Sequence, residues 1–145
     1  MKKPAEYLWD EERGMATCIL YYKNLEFKGV AFCHPEDRDM QSKLTGQTIA
    51  EWRAIRKYFR HMRDNELKPQ LKALKQLYYA MNRSKHFNPK SYESKMLYSH
   101  IQNIEFDLAT INNNLASLSQ NLNEYLKDKE DIYQSLRKMR QAKDN

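Results

Sequence analysis

Glycine and proline are scarce in this chain, three of one and four of the other in 145 residues. So few turn-forming residues exclude a fold of many short elements and point to a few long ones. Two cysteines cannot make a disulfide framework and are expected as reduced thiols. No apolar run approaches membrane-spanning length, which removes the membrane from the expected partners. The opening Met1-Lys2-Lys3-Pro4 leads into Glu6, Asp10, Glu11 and Glu12, not into an apolar stretch. No secretory leader is therefore expected, and the cytoplasm is the expected location. Also missing are a glycine-rich phosphate loop, a nucleophile elbow and an H-E-x-x-H pair. Without them neither an enzyme nor a cofactor is expected.

What the chain does have is a heptad. The a positions are Ile101, Leu108, Leu115, Leu122, Lys129 and Leu136; the d positions are Leu97, Ile104, Ile111, Leu118, Tyr125, Ile132 and Met139. The spacing alternates four and three throughout, and only Lys129 is not apolar. Such a series makes a helix with one narrow face buried against other helices. It runs for roughly 65 Å, so it must lie along a partner or project from the body. Leucine at a with isoleucine at d disfavours a parallel dimer and suits higher-order bundles. Between Asp107 and Glu124 the helix carries no charge; Asn112, Asn113, Asn114, Ser117, Ser119, Gln120, Asn121 and Asn123 supply its polarity. Uncharged polar flanks suit a helix packed on more than one side.

Upstream, residues 1–14 read as a polar tail that carries Tyr7, Leu8 and Trp9. Strands are expected over 16–22 and 27–33, rich in β-branched and aromatic residues, with Asn24 at positive φ in the turn. Gly46-Gln47-Thr48 opens a helix, capped by Thr45 or Thr48. Its apolar face is Ile49, Trp52, Ile55, Phe59 and Met62, followed by Leu67, Leu71, Leu74, Tyr78 and Met81. The step of five from Met62 to Leu67, with Pro69 beyond, predicts a kink or short break at Asp64-Asn65. Pro89 starts the long helix, capped by Asn88 or Ser91. The expected fold is mainly α: an N-terminal β-hairpin on a long antiparallel helical hairpin, associated as a homo-oligomer. Its boundaries are a tail 1–14, a hairpin with connecting loop 15–46, a kinked helix 47–82, a loop 83–89 and the heptad helix 90–142. Leu115, Leu118, Leu122, Tyr125, Ile132, Leu136 and Met139 are the expected oligomerisation residues, because helix 47–82 is too short to cover the whole seam.

The formal charge is +6, with a pI near 9.2. Arg53, Arg56, Lys57, Arg60 and Arg63 recur at helical spacing with no acid between Glu51 and Asp64, and Lys68, Lys72 and Lys75 extend them. A tight helical turn-back sets Arg53–Arg63 beside the uncharged part of the long helix, where no carboxylate neutralises them. Such a stripe suits phosphates or an acidic protein surface. Tyr58, His61, Tyr78 and Tyr79 are candidates for stacking. The Cys33-His34-Pro35-Glu36-Asp37 segment is a poor metal site. Neighbours at 33 and 34 do not both reach one zinc, and Cys18 adds no CxxC-type spacing. A Cys–His nucleophile pair fails because adjacent strand residues face opposite ways. Glu36, Asp37 and Asp39 read as a helix-start acid cluster before they read as a Mg²⁺ site. Glu26-Phe27-Lys28 with Asp10 matches an E-x-K nuclease strand, but the larger sheet that such a site needs is missing.

Gly29-Val30-Ala31-Phe32-Cys33-His34-Pro35-Glu36-Asp37, with Gly46, Ile49-Ala50 and Arg53-Ala54 beyond, resembles a pattern in small accessory proteins of phages and prophages of Gram-positive bacteria. The resemblance implies a phage-encoded protein that blocks or sequesters a host component, and it implies no functional residue. The expected function is therefore binding: inhibition of a host protein or nucleoprotein, such as a defence nuclease, through the basic helix face. Direct nucleic-acid binding and nucleotide sequestration between subunits are the alternatives.

Overall fold

The structure, a computed structural model, describes residues 5–32, 43–84 and 88–144. It is mainly helical, with a three-stranded antiparallel sheet at the N-terminal end. The chain divides into two compact units, Met1–Tyr58 with Ser117–Asn145, and Phe59–Ala116.

The first unit holds the sheet, a meander of β1 (Ala5–Asp10), β2 (Met15–Tyr22) and β3 (Leu25–Phe32). The expected hairpin is β2–β3, but residues 5–10, expected as tail, add a third strand. The acids that suggested a tail sit on one side of an alternation. Ala5, Tyr7 and Trp9 lie opposite Leu20, Cys18 and Ala16, while Glu6 and Asp10 fall on the other face. Glu6 is itself useful there, because the Tyr21 hydroxyl donates to its carboxylate at 2.6 Å. Gly14, at φ 61°, closes the β1–β2 turn. In the second turn Tyr22 pairs with Leu25, so the loop is Lys23-Asn24 alone. Lys23, not Asn24, takes the positive φ (53°). A two-residue hairpin of the primed type needs φ above zero at its first loop position.

One face of the sheet is small. Ala16 and Ala31 are direct cross-strand partners, as are Cys18 and Gly29. They pack on α1 (Lys43–His61) through Ile49, Ala50 and Ala54, which with Leu122 form the buried core. The helix begins before the expected Gly46. Thr48 is not its cap, since its hydroxyl donates back to the Leu44 carbonyl inside the helix. Small residues on both surfaces let backbone approach backbone: a Cβ on Gly29 would lie 1.9 Å from the Ala50 carbonyl oxygen. Trp52, on a different side of α1, packs edge-on against Tyr125 of α3 (Tyr92–Asp144), ring centroids 5.2 Å apart. Tyr58 takes Tyr22 and Phe27 at its edges.

The second unit holds the end of α1, a π-helical turn (Met62–Leu67), α2 (Lys68–Asn82) and the first half of α3. The expected interruption at Asp64-Asn65 is this π turn, through which the helix continues. A π turn takes one more residue than an α turn, which absorbs the step of five and keeps Met62 and Leu67 on one face. Pro69 gives a second reason for it. Proline lacks an N–H and clashes with the carbonyl four residues back in a regular helix. α2 and α3 run antiparallel: Lys75 meets Glu105 at 3.2 Å, and Tyr78 meets Tyr98. Ser91 caps α3, its hydroxyl accepting from the Ser94 N–H at 3.2 Å, and Asn88 shapes the turn before it by accepting from the Lys90 N–H. Ile101, Ile104 and Leu115 are buried.

From Leu97 to Lys129 every a and d position is buried or half-buried, as the heptad predicts. Beyond Lys129 the covered positions become Tyr133, Arg137 and Arg140, while Ile132, Leu136 and Met139 are exposed. Leu115 and Leu122, expected at an oligomer interface, are already buried within the chain, and Tyr125 is engaged by Trp52.

Candidate functional site

The charge of the chain is concentrated in one stretch. From Lys43 to Asn82 there are nine lysines and arginines against Glu51, Asp64 and Glu66, an excess equal to the whole formal +6. The remainder of the chain is balanced. The structure sorts these cations into three kinds.

Arg53 is a structural tie. Its Nη1 donates to the Val30 carbonyl of edge strand β3 at 2.7 Å, and the residue is half-buried. Arg56 is half-buried as well. The expectation of an outward stripe is therefore corrected at these positions: Arg53 is drawn to the sheet edge, and neither side chain is fully exposed. Arg63, Lys68 and Lys75 are paired. Arg63 Nε and Nη2 donate to the two Asp64 oxygens at 2.8 and 3.1 Å, and Lys68 reaches the same carboxylate at 3.5 Å. The Arg63 guanidinium, by hydrogen bond and then by charge, holds the Asp64 carboxyl below the usual carboxylate range. Lys75 has Glu105. The expected lack of carboxylate neighbours thus fails here too. The observed Trp52–Tyr125 and Lys75–Glu105 contacts set the helices roughly two turns away from the register that a tight turn-back implies.

The third kind is free. Among the described residues of this stretch, Lys43, Lys57, Arg60 and Lys72 are exposed and make no ion pair, as is Arg83 just beyond it. Lys43 and Lys57 belong to the first unit, and the other three to the second. Within the second unit the π turn matters. In a regular α-helix the step from Arg60 to Lys72 rotates a side chain by roughly 120°; absorbing one residue reduces this to roughly 20°. Arg60, Lys68 and Lys72 therefore form one row along the axis, and helical spacing continues it to Tyr79 and Arg83. Tyr79 is 59% exposed. Sequence reasoning listed Tyr79 for stacking but missed Arg83. It did expect Lys68 and Lys72 to extend the stripe that holds Arg60; plain α periodicity places Arg60 and Lys72 on different faces, and the π turn supplies the alignment.

The other stacking candidates are occupied. Tyr58 and Tyr78 have aromatic partners, and His61 lies 3.0 Å from the Asn65 amide and 3.8 Å from the Glu66 carboxylate. Cys18 is buried, and that burial, with Glu51 nearby, pushes its thiol up. Among the described residues no group of three or more His, Cys, Asp or Glu side chains is arranged to hold a metal. The Cys33–Asp37 segment and Asp39 lie outside the described residues. No helix among the described residues is long and apolar enough to cross a membrane. No protein-family model matches the chain, and neither a curated protein nor a solved structure does.

Proposed function

We propose that the protein acts by binding, through the row Arg60, Lys68, Lys72 and Arg83, to an anionic surface of another macromolecule. One observation carries this reading. The π turn brings cations from both sides of Asp64 into line on an exposed helix face, and three of them have no partner. Rigid, unneutralised cations in a row steer and register an acidic partner. The resemblance to phage accessory proteins supports a host macromolecule, such as a defence nuclease, as the target. Tyr79 favours a second reading, direct binding of single-stranded nucleic acid, because an exposed ring in a cationic row offers a stacking platform.

The test compares the wild type with the Arg60→Glu/Lys72→Glu/Arg83→Glu variant on immobilised polyanion, then in solution with poly-glutamate and single-stranded DNA. The proposal expects retention of the wild type to moderate salt and its loss in the variant. Binding to DNA with affinity falling steeply with salt selects the second reading. Equal elution of the two proteins would remove the row from the function.

A further inference from the structure

The end of α3 carries an apolar face that stays exposed among the described residues. Ile132 is 50% exposed, Leu136 38% and Met139 62%. These three continue the heptad, whereas the residues that the first unit covers, Tyr133, Arg137 and Arg140, each lie one position on, about 100° around the helix. The divergence has a cause in the fold. Trp52 lies against Tyr125, so antiparallel pairing brings the start of α1 at Lys43 level with the Ile132–Leu136 stretch. Among the described residues, α1 reaches no further along the heptad than this level. Lys129, the one charged residue in the a/d series, does not spoil the seam, because its ammonium lies over the Tyr125 ring, 5.3 Å from the centroid.

The flanking charges name the occupant. Residues 124–131 hold Glu124, Asp128, Glu130 and Asp131 against two lysines, whereas residues 137–143 hold Arg137, Lys138, Arg140 and Lys143 with no acid; Glu130 and Arg137 already pair with each other at 3.6 Å, which leaves Asp131 and Lys138 for a partner. A surface that is apolar at its centre, acidic at one end and basic at the other is complementary to itself when inverted. A parallel pairing would stack acid on acid and base on base. We propose that a second copy of this chain docks on the first through the Ile132–Leu136–Met139 seam, antiparallel, with the two-fold axis near Gln134. In that arrangement Ile132 of one copy packs against Leu136 of the other. Lys138 of one copy lies level with Asp131 of the other, along the same side of the seam, and the basic last turns lie beside the acidic stretch. This inference is independent of the cationic row, which belongs to the other unit.

The experiment is sedimentation equilibrium on the full chain, from low to high micromolar, with thermal melts as a control on folding. The wild type should be a dimer in that range. Ile132→Asp/Leu136→Asp should be a monomer that melts where the wild type does at concentrations too low for association, since both residues are exposed in the single chain. Lys138→Glu should weaken the dimer at least fivefold, and Asp131→Lys added to it should restore the affinity, because the inverted pair has the same attraction. A wild type that stays monomeric throughout overturns the proposal. So does a dimer indifferent to the aspartates, which would use another face. A dimer unmoved by Lys138→Glu overturns the antiparallel orientation.

Discussion

Gly29 of β3 meets the backbone of α1 directly: a Cβ there would lie 1.9 Å from the carbonyl oxygen of Ala50 and 2.5 Å from the amide nitrogen of Ala54. Neither atom is the end of a flexible side chain, so a methyl group is admitted only by moving the helix off the sheet. Overpacking costs about 1–3 kcal/mol where side chains can yield. Gly29→Ala, which meets backbone, should reach or exceed the top of that range, about 3 kcal/mol. Gly46→Ala is the contrast. Its Cβ would meet the Ala16 Cβ at 3.1 Å and the edge of the Trp9 ring at 3.4 Å. The tight contact is offset by the roughly 1 kcal/mol that alanine gains over glycine in a helix, and the net change should stay within about 1 kcal/mol. Urea denaturation of the two variants checks the pair.

Arg53 and Arg60 have the same side chain and opposite roles. Arg53→Met removes a charge-assisted hydrogen bond to the Val30 carbonyl while keeping most of the side-chain bulk. It should cost about 1.5–3 kcal/mol, the range for hydrogen bonds to charged groups. Arg60→Met should change stability by under about 0.5 kcal/mol, as an exposed substitution away from any contact. Equal destabilisation would mean that Arg60 is also a structural tie.

Leu122 and Leu136 are both leucines at a positions of one heptad. Leu122 is 2% exposed and belongs to the core, whereas Leu136 faces outward. Leu122→Ala should cost about 2–5 kcal/mol by loss of burial and by the cavity it leaves. Leu136→Ala should cost under about 1 kcal/mol when melted at concentrations too low for association.

The same two residues mark how far the sequence could be read. A heptad reports which positions of a helix are apolar, and to Lys129 that agrees with what the chain covers. It does not report which stretch of the helix its neighbours reach: Leu122 lies in the core with Ile49, Ala50 and Ala54, whereas Leu136 is exposed. The β2–β3 hairpin was legible from its β-branched and aromatic residues. β1 was not, because Glu6, Asp10 and the acids of the turn outweigh the alternation of Ala5, Tyr7 and Trp9. Of the binding candidates, Lys57, Arg60 and Lys72 are where helical spacing puts them, on solvent. Arg53 was misread because a basic residue opposite an apolar face was assigned to water, while the edge carbonyl of Val30 was invisible.

Tyr21 should show the pH dependence of the β1–β2 pairing. Its hydroxyl donates to the Glu6 carboxylate, and that hydrogen bond, more than burial or charge, pushes its pKa up to about 12 from the ordinary 10. The folded state holds this proton more tightly than the unfolded state does. Stability from the pair is therefore fully present below pH 10 and is lost as pH rises from 10 through about 12. Glu6→Gln should return Tyr21 towards its ordinary value and flatten that part of the stability profile. NMR titration of the Tyr21 ring in both proteins measures the shift directly.

The π turn makes the sharpest prediction, because it has a single extra residue and a proline beside it. If it exists to absorb the Met62-to-Leu67 step, removing one residue should convert it to a plain α turn and leave both helix faces where they are. Pro69 then becomes the obstacle, since a regular ladder places a carbonyl against its ring. Deletion of Asn65 alone should therefore cost about 3 kcal/mol, the penalty of proline inside a helix. Deletion of Asn65 combined with Pro69→Ala should recover most of that loss. Because the faces are preserved, the double variant should also keep the alignment of Arg60 with Lys72 and with it the retention on polyanion. Pro69→Ala alone should be near neutral, the π turn having already made room for the ring. A double variant that melts as low as the single deletion would show that the His61–Asn65 contact, and not the spacing, holds this turn.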